Sequence, residues 1–167
     1  MPFSKSSCRL PVASCQRGVV LASSALLLML LTAGAQTAGV AHIAGPVVTA
    51  RAHATAIAAL SITVEHGFHI QSNHPKLDYI IPSTITITPA DGITATKVTW
   101  PPTVDRKFSF SPQPLAVFEG QIKVPVTLTT GAAGAHVLHG TFRYQACNDQ
   151  LCRPPVTEPF TLAVHVH

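Results

Sequence analysis

What most limits the fold of this chain is a repeating period of two. It is clearest at Thr84-Ile85-Thr86-Ile87-Thr88, where strict alternation sends the isoleucines to one face and the threonines to the other. Similar β-prone runs occur at residues 58–64, 68–71, 93–100, 115–118, 122–128, 137–144 and 160–166. Between them stand turn signals: Glu65-His66-Gly67, Asn73-His74-Pro75-Lys76, Ala90-Asp91-Gly92, Pro101-Pro102, Glu119-Gly120 and Gly131-Ala132-Ala133-Gly134. Residues 122–128 and 137–144, flanking the last of these, read as a hairpin. No stretch after residue 36 combines a helical period with caps. About eight or nine short strands, with turns roughly every 8–12 residues, predict an all-β, immunoglobulin-like β-sandwich, with a small barrel as the alternative.

The N-terminal segment follows different rules. Lys5, Arg9 and Arg17 precede an apolar run from Val19 to Leu31, and Ala33-Gly34-Ala35 supplies a small-residue cleavage pattern. The run has about 13 residues where a spanning helix needs roughly 20, so residues 1–35 read as a cleaved secretory signal peptide, the alternative being an uncleaved signal anchor. Residues 36–54, rich in Ala, Gly and Thr, read as a flexible lead, and residues 55–167 as the folded domain. Without Lys5, Arg9 and Arg17 the formal charge of +4 becomes a near balance of 8 basic and 7 acidic side chains. Nothing in that balance points to nucleic acid. Cys8 and Cys15 leave with the signal, and Cys147 and Cys152 remain, in a compartment that permits disulfides.

Four residues separate this last pair, between a strand-like lead-in and the Pro154-Pro155 exit. A structural staple is one reading. The spacing argues for another, because closing so small a ring stabilises a fold by only about 2 kcal/mol in the chain-entropy model. Structural bridges of immunoglobulin domains join strands far apart in sequence. A small ring at a strand end instead presents sulfur where thiol–disulfide exchange can reach it. Arg153 beside Cys152 favours thiolate and Asp149 between the thiols opposes it. No βαβ pattern accompanies the pair, so it is not a thioredoxin-type motif.

Tyr144-Gln145-Ala146-Cys147 followed by Cys152-Arg153-Pro154-Pro155 resembles the Tyr-Gln-x-Cys…Cys-x-Pro-Pro signature of the N-terminal periplasmic domain of the thiol:disulfide interchange protein DsbD. Gly67-Phe68-His69-Ile70 is similar to that family's aromatic strand. Val117-Phe118-Glu119-Gly120 through Val124-Pro125-Val126 is similar to the strand leading to its cysteine hairpin. The likeness spans roughly residues 55–165.

The resemblance implies a periplasmic, monomeric, immunoglobulin-like domain that acts as a protein-disulfide reductase or electron relay. It would pass reducing equivalents to thioredoxin-like disulfide proteins, in the setting of cytochrome c maturation, without a bound cofactor. It also implies that Cys152 attacks the partner disulfide and Cys147 resolves the mixed disulfide. A phenylalanine-bearing cap loop would cover the sulfurs. The aperiodic segment 103–114 occupies the corresponding place, making Phe108 or Phe110 the cap, with His69 and Tyr144 as further site-lining candidates. Where better-known members carry acidic residues before the cap phenylalanine, this chain has Arg106-Lys107, so positive charge is expected to favour thiolate. The full interchange protein continues into membrane helices and a thioredoxin-like domain. A chain ending at His167 would therefore take its electrons from a separate membrane donor.

The competing function is a non-catalytic immunoglobulin-like binding module with a structural disulfide, one that could also bind a metal. His136, His139, His165 and His167 are its candidate ligands, but they lack compact ligand spacing, so no metal is expected. No Ser-His-Asp order or phosphate loop supports a hydrolase.

Overall fold

The computed structural model describes residues 39–167; the proposed signal peptide and the start of the lead lie outside them. Twelve strands follow in order: β1 (Ala41–Ala44), β2 (Val47–Ala50), β3 (Thr55–Val64), β4 (His69–Gln71), β5 (Thr84–Ile87) and β6 (Thr94–Val98), then β7 (Val104–Arg106), β8 (Leu115–Phe118), β9 (Gln121–Thr129), β10 (Gly134–Tyr144), β11 (Ala146–Cys147) and β12 (Val156–Val166). Among the described residues there is no helix, and so none long and apolar enough to cross a membrane.

The strands form three open four-stranded sheets, in the orders β1-β3-β9-β6, β2-β12-β10-β5 and β11-β4-β8-β7. The first two bury alternate side chains in one continuous core. Leu60 and Ile62 of β3 and Val124, Val126 and Leu128 of β9 enter it from one side. Leu138, Phe142 and Tyr144 of β10 and Leu162 and Val164 of β12 enter from the other. The predicted alternation at 84–87 holds: Ile87 is buried and both threonines are exposed. Gly140 is required where it stands, because Phe160 from the neighbouring strand lies across it and a Cβ would collide with that ring.

Two expectations are corrected. Residues 41–50, read as part of a flexible lead, contribute β1 and β2; β1 pairs with β3 and β2 runs parallel to β12. The Tyr144 hydroxyl accepts the Ala41 N–H at 3.1 Å and so ties β1 to the core. Nor do residues 122–128 and 137–144 form a hairpin, since β9 and β10 lie in different sheets. The glycine-rich turn between them carries the chain across the core, held by Thr130, whose hydroxyl donates to Arg51 O at 2.6 Å and accepts Ala54 N–H at 2.9 Å.

The long hairpin is β10 with β12, paired without interruption from Gly134↔Val166 to Tyr144↔Val156. Its connection, residues 145–155, holds both cysteines and reaches over the third sheet.

Candidate functional site

Beyond Tyr144 the hairpin register slips by one residue. Arg153 N–H then bonds Ala146 O at 2.8 Å and Asn148 N–H bonds Leu151 O at 3.0 Å. Cys147 and Cys152 thus face each other across a two-residue bridge, joined as a disulfide, with Cα atoms 3.9 Å apart. The Asn148 carboxamide accepts the N–H groups of Gln150 and Leu151 and closes the turn. β11 seats the ring on the third sheet through the pairs Ala146↔Ile70 and Cys147↔His69.

This seating makes the two sulfurs unequal. Cys147 is fully buried, whereas Cys152 is partly exposed. Beside Cys152 lies a cavity of about 320 Å³ lined mainly by Tyr79, Ile80, Phe110, Leu115 and Leu151. Tyr79, Phe110 and Leu151 are among the large apolar side chains left exposed, so an apolar rim surrounds the accessible sulfur.

Segment 103–114 runs against this ring. β7 pairs with β8, and Phe108 follows, buried with Ile80, Leu115 and Val117 and edge-on to the His69 ring at 5.3 Å. Phe110 stacks on Phe108 at 5.2 Å and lines the cavity. The two phenylalanines therefore divide the work: Phe108 anchors the segment, and Phe110 stands at the cavity with Cys152. The Ser109 hydroxyl donates to Asp149 O at 3.0 Å, linking the segment directly to the ring loop.

Arg106 does not lend its charge to the sulfurs as expected. Its guanidinium forks onto Glu119, with Nη2–Oε1 at 2.7 Å and Nε–Oε2 at 3.1 Å. That bond holds the Glu119 carboxyl below its ordinary range. His69 Nδ1 lies 3.2 Å from the same carboxylate, but too poorly aligned to make a hydrogen bond. A lowered carboxyl pKa contributes in full above the ordinary value, about 4.3, and is lost as pH falls through the folded value. Hydrogen exchange over residues 104–114, corrected for its intrinsic pH dependence, is accordingly expected to stay flat near neutrality and to rise in acid. Arg106→Gln should remove that acid step and raise exchange a few-fold throughout, because exposed ion pairs are individually weak.

The family model for thiol:disulfide interchange protein DsbD, N-terminal, matches residues 43–164. The chain belongs to the DsbD N-terminal domain family. Among solved structures it is similar to the reduced DsbD N-terminal domain of Neisseria meningitidis, at 15% identity over 68% of this chain and 82% of that one, TM-score 0.46. It is also similar to the N-terminal periplasmic domain of ScsB from Proteus mirabilis, at 10% identity over 75% of this chain and 45% of that one, TM-score 0.49. The match thus spans under half of the ScsB chain. No curated protein matches.

The DsbD signature read from residues 144–155 coincides with the hairpin tip that carries the disulfide. Of the residues singled out in the sequence, Cys147, Cys152, Phe108, Phe110 and His69 come together here. Tyr144 points elsewhere: its ring stacks on Phe142 at 4.8 Å in the main core, where burial pushes its phenol pKa up. Of the histidines weighed as metal ligands, His136 bonds Asp91 at 3.1 Å and His139, His165 and His167 are exposed. Among the described residues, no three His, Cys, Asp or Glu side chains are arranged so that they could hold a metal ion.

The residue missed from sequence is Gln71. Its side chain is fully buried at the end of β4, and Nε2 donates to Cys147 Sγ at 3.0 Å. Its Oε1 has no hydrogen-bond partner among the described residues. Such an unpaired buried acceptor costs roughly 1–3 kcal/mol.

Proposed function

We propose that this chain is a periplasmic thiol–disulfide exchange domain that carries electrons on Cys147 and Cys152. In the reduced state, Cys152 thiolate attacks a partner disulfide. A mixed disulfide forms and the partner's other sulfur leaves as thiolate. Cys147 then attacks Cys152 Sγ, closing the ring and releasing the partner as a dithiol. An upstream dithiol reopens the ring in a second exchange, so two electrons cross per cycle and no cofactor takes part.

One observation carries the assignment of roles: only Cys152 has surface within reach of another protein, and it opens beside the apolar rim of Tyr79, Phe110 and Leu151. A partner presenting an apolar loop around its cysteine fits that rim. Thioredoxin-like disulfide proteins are the proposed acceptors, and the two-sheet body is read as the immunoglobulin-like scaffold of the DsbD domain. Export to the periplasm is part of the proposal, supported by the signal-like N-terminus and by the family. The domain is proposed to act as a monomer.

The test is electron transfer in solution. Reduced protein mixed with an oxidised thioredoxin-like periplasmic protein should end with its own pair oxidised and the partner's thiols free to alkylate. A chain that stays reduced while remaining folded would refute the relay.

A further inference from the structure

The Gln71 carboxamide is aimed at one sulfur of the pair. Nε2 stands 3.0 Å from Cys147 Sγ and 4.0 Å from Cys152 Sγ, so the buried sulfur receives the short bond and the accessible one only a long, weak one. The side chain is held from both ends of its own backbone. Gln71 N–H donates to Gln145 O at 3.0 Å, and Gln71 O accepts the Ser83 hydroxyl at 2.5 Å. β4 in turn pairs with β11, which carries Cys147, so amide and sulfur ride on one small sheet. Two neighbouring guanidinium groups are engaged elsewhere, Arg106 on Glu119 and Arg153 over the Phe68 ring at 4.3 Å, while His69 sits across from Cys147 on β4.

We infer that Gln71 is a catalytic residue of the exchange reaction, stabilising the thiolate of Cys147 whenever the ring opens. The inference rests on the relay reading of the pair and adds to it. When a donor thiolate attacks Cys152 Sγ, a donor–Cys152 bond forms and the Cys147–Cys152 bond breaks. The electron pair of the broken bond stays on Cys147. A disulfide sulfur accepts a hydrogen bond weakly and a thiolate accepts it strongly, so the Gln71 N–H gains most at the moment charge develops. A buried thiolate without such a donor is disfavoured by desolvation. The unpartnered Oε1 fits the same role. Turned over, the amide can accept S–H from protonated Cys147, so one uncharged side chain serves both protonation states.

The test uses the mature chain and dithiothreitol as the reductant, which needs no physiological partner. Gln71→Met keeps the length of the side chain and removes the donor. In a Cys152→Ser background it should raise the Cys147 pKa, followed by thiolate absorbance, by about one unit, a tenfold loss of thiolate at neutral pH. Ring opening in the otherwise unaltered chain should slow several-fold. Gln71→Glu should slow opening further as pH rises and its carboxyl ionises, a pH profile that packing alone would not produce. In the unsubstituted chain, the Gln71 side-chain amide resonances should shift on reduction and titrate with Cys147, which settles the matter even where a variant fails to fold. Folded variants with unchanged opening and titration, or amide resonances indifferent to both, would overturn the inference. If Gln71 governs opening by dithiothreitol while the chain reduces no protein, the residue's role stands and the relay alone falls.

Discussion

With Cys147 replaced by alanine, the reduced chain is expected to accumulate a covalent adduct with its disulfide partner through Cys152. The adduct should persist on a non-reducing gel and vanish with dithiothreitol. The reason is the unequal burial of the two sulfurs. Cys152 opens beside the cavity and can still attack, but nothing remains to displace the partner afterwards. Cys152→Ala should give no adduct at all, since Cys147 has no surface to offer. The contrast is close to all-or-none, the largest effect expected of any substitution here. Cys147→Ala also strips Gln71 Nε2 of its acceptor, an unpaired buried group worth roughly 1–3 kcal/mol. Cys147→Ser restores an acceptor and should trap the same adduct in a more stable chain. An adduct that forms equally well in Cys152→Ala would reverse the assigned roles.

The second large effect concerns the platform under the ring. Phe118→Ala is expected to destabilise the domain by about 3–5 kcal/mol, a large part of the 5–15 kcal/mol typical of a whole domain. Phe118 ends β8 in the third sheet, yet its side chain is buried in the main core and stacks on Trp100 at 5.3 Å. It therefore pins the small sheet to the body of the protein. β8 also pairs with β4 through Ile70↔Phe118 and Gln71↔Val117, so the backbone that aims Gln71 depends on the same anchor. Urea unfolding of the oxidised chain should show a lower midpoint with little change in slope. A midpoint within error of the parent would mean that the small sheet is held by something other than Phe118.

Strands long enough to bury one face were legible in the sequence, because burial of one face imposes alternation. β3, β5, β9, β10 and β12 all carry that mark. β1 and β2 were not legible. Ala-His-Ile-Ala and Val-Val-Thr-Ala are only four residues each and show no strict apolar–polar alternation, and a hydroxyl from Tyr144, 103 residues away, helps fix β1. β7 and β11 are three and two residues long and exist because a neighbour offers a free edge, which no local pattern records. The hairpin error at 122–144 has a similar cause. A glycine-rich turn marks a reversal of the chain without saying whether the next strand stays in its sheet or crosses the core.

The site was legible where chemistry forced unusual residues together and opaque where it did not. Cys147, Cys152 and the prolines after them stand out at any reading. Gln71 did not, because alternation along β4 would turn it away from the face that Ile70 buries. In the fold both residues are buried, the end of β4 being covered on both sides. For Arg106, the sequence did not reveal the position of its partner. Glu119 is 13 residues further on in sequence, just past the end of β8, and in the fold its carboxylate takes the Arg106 guanidinium.

The most direct test of the account is the equilibrium reduction potential of the Cys147–Cys152 pair, measured in the mature chain against a dithiol buffer at neutral pH. A working relay predicts a value among those of known exchange proteins, roughly −120 to −270 mV. A value below about −300 mV is where structural disulfides lie, and it would contradict the claim that this ring opens and closes in use.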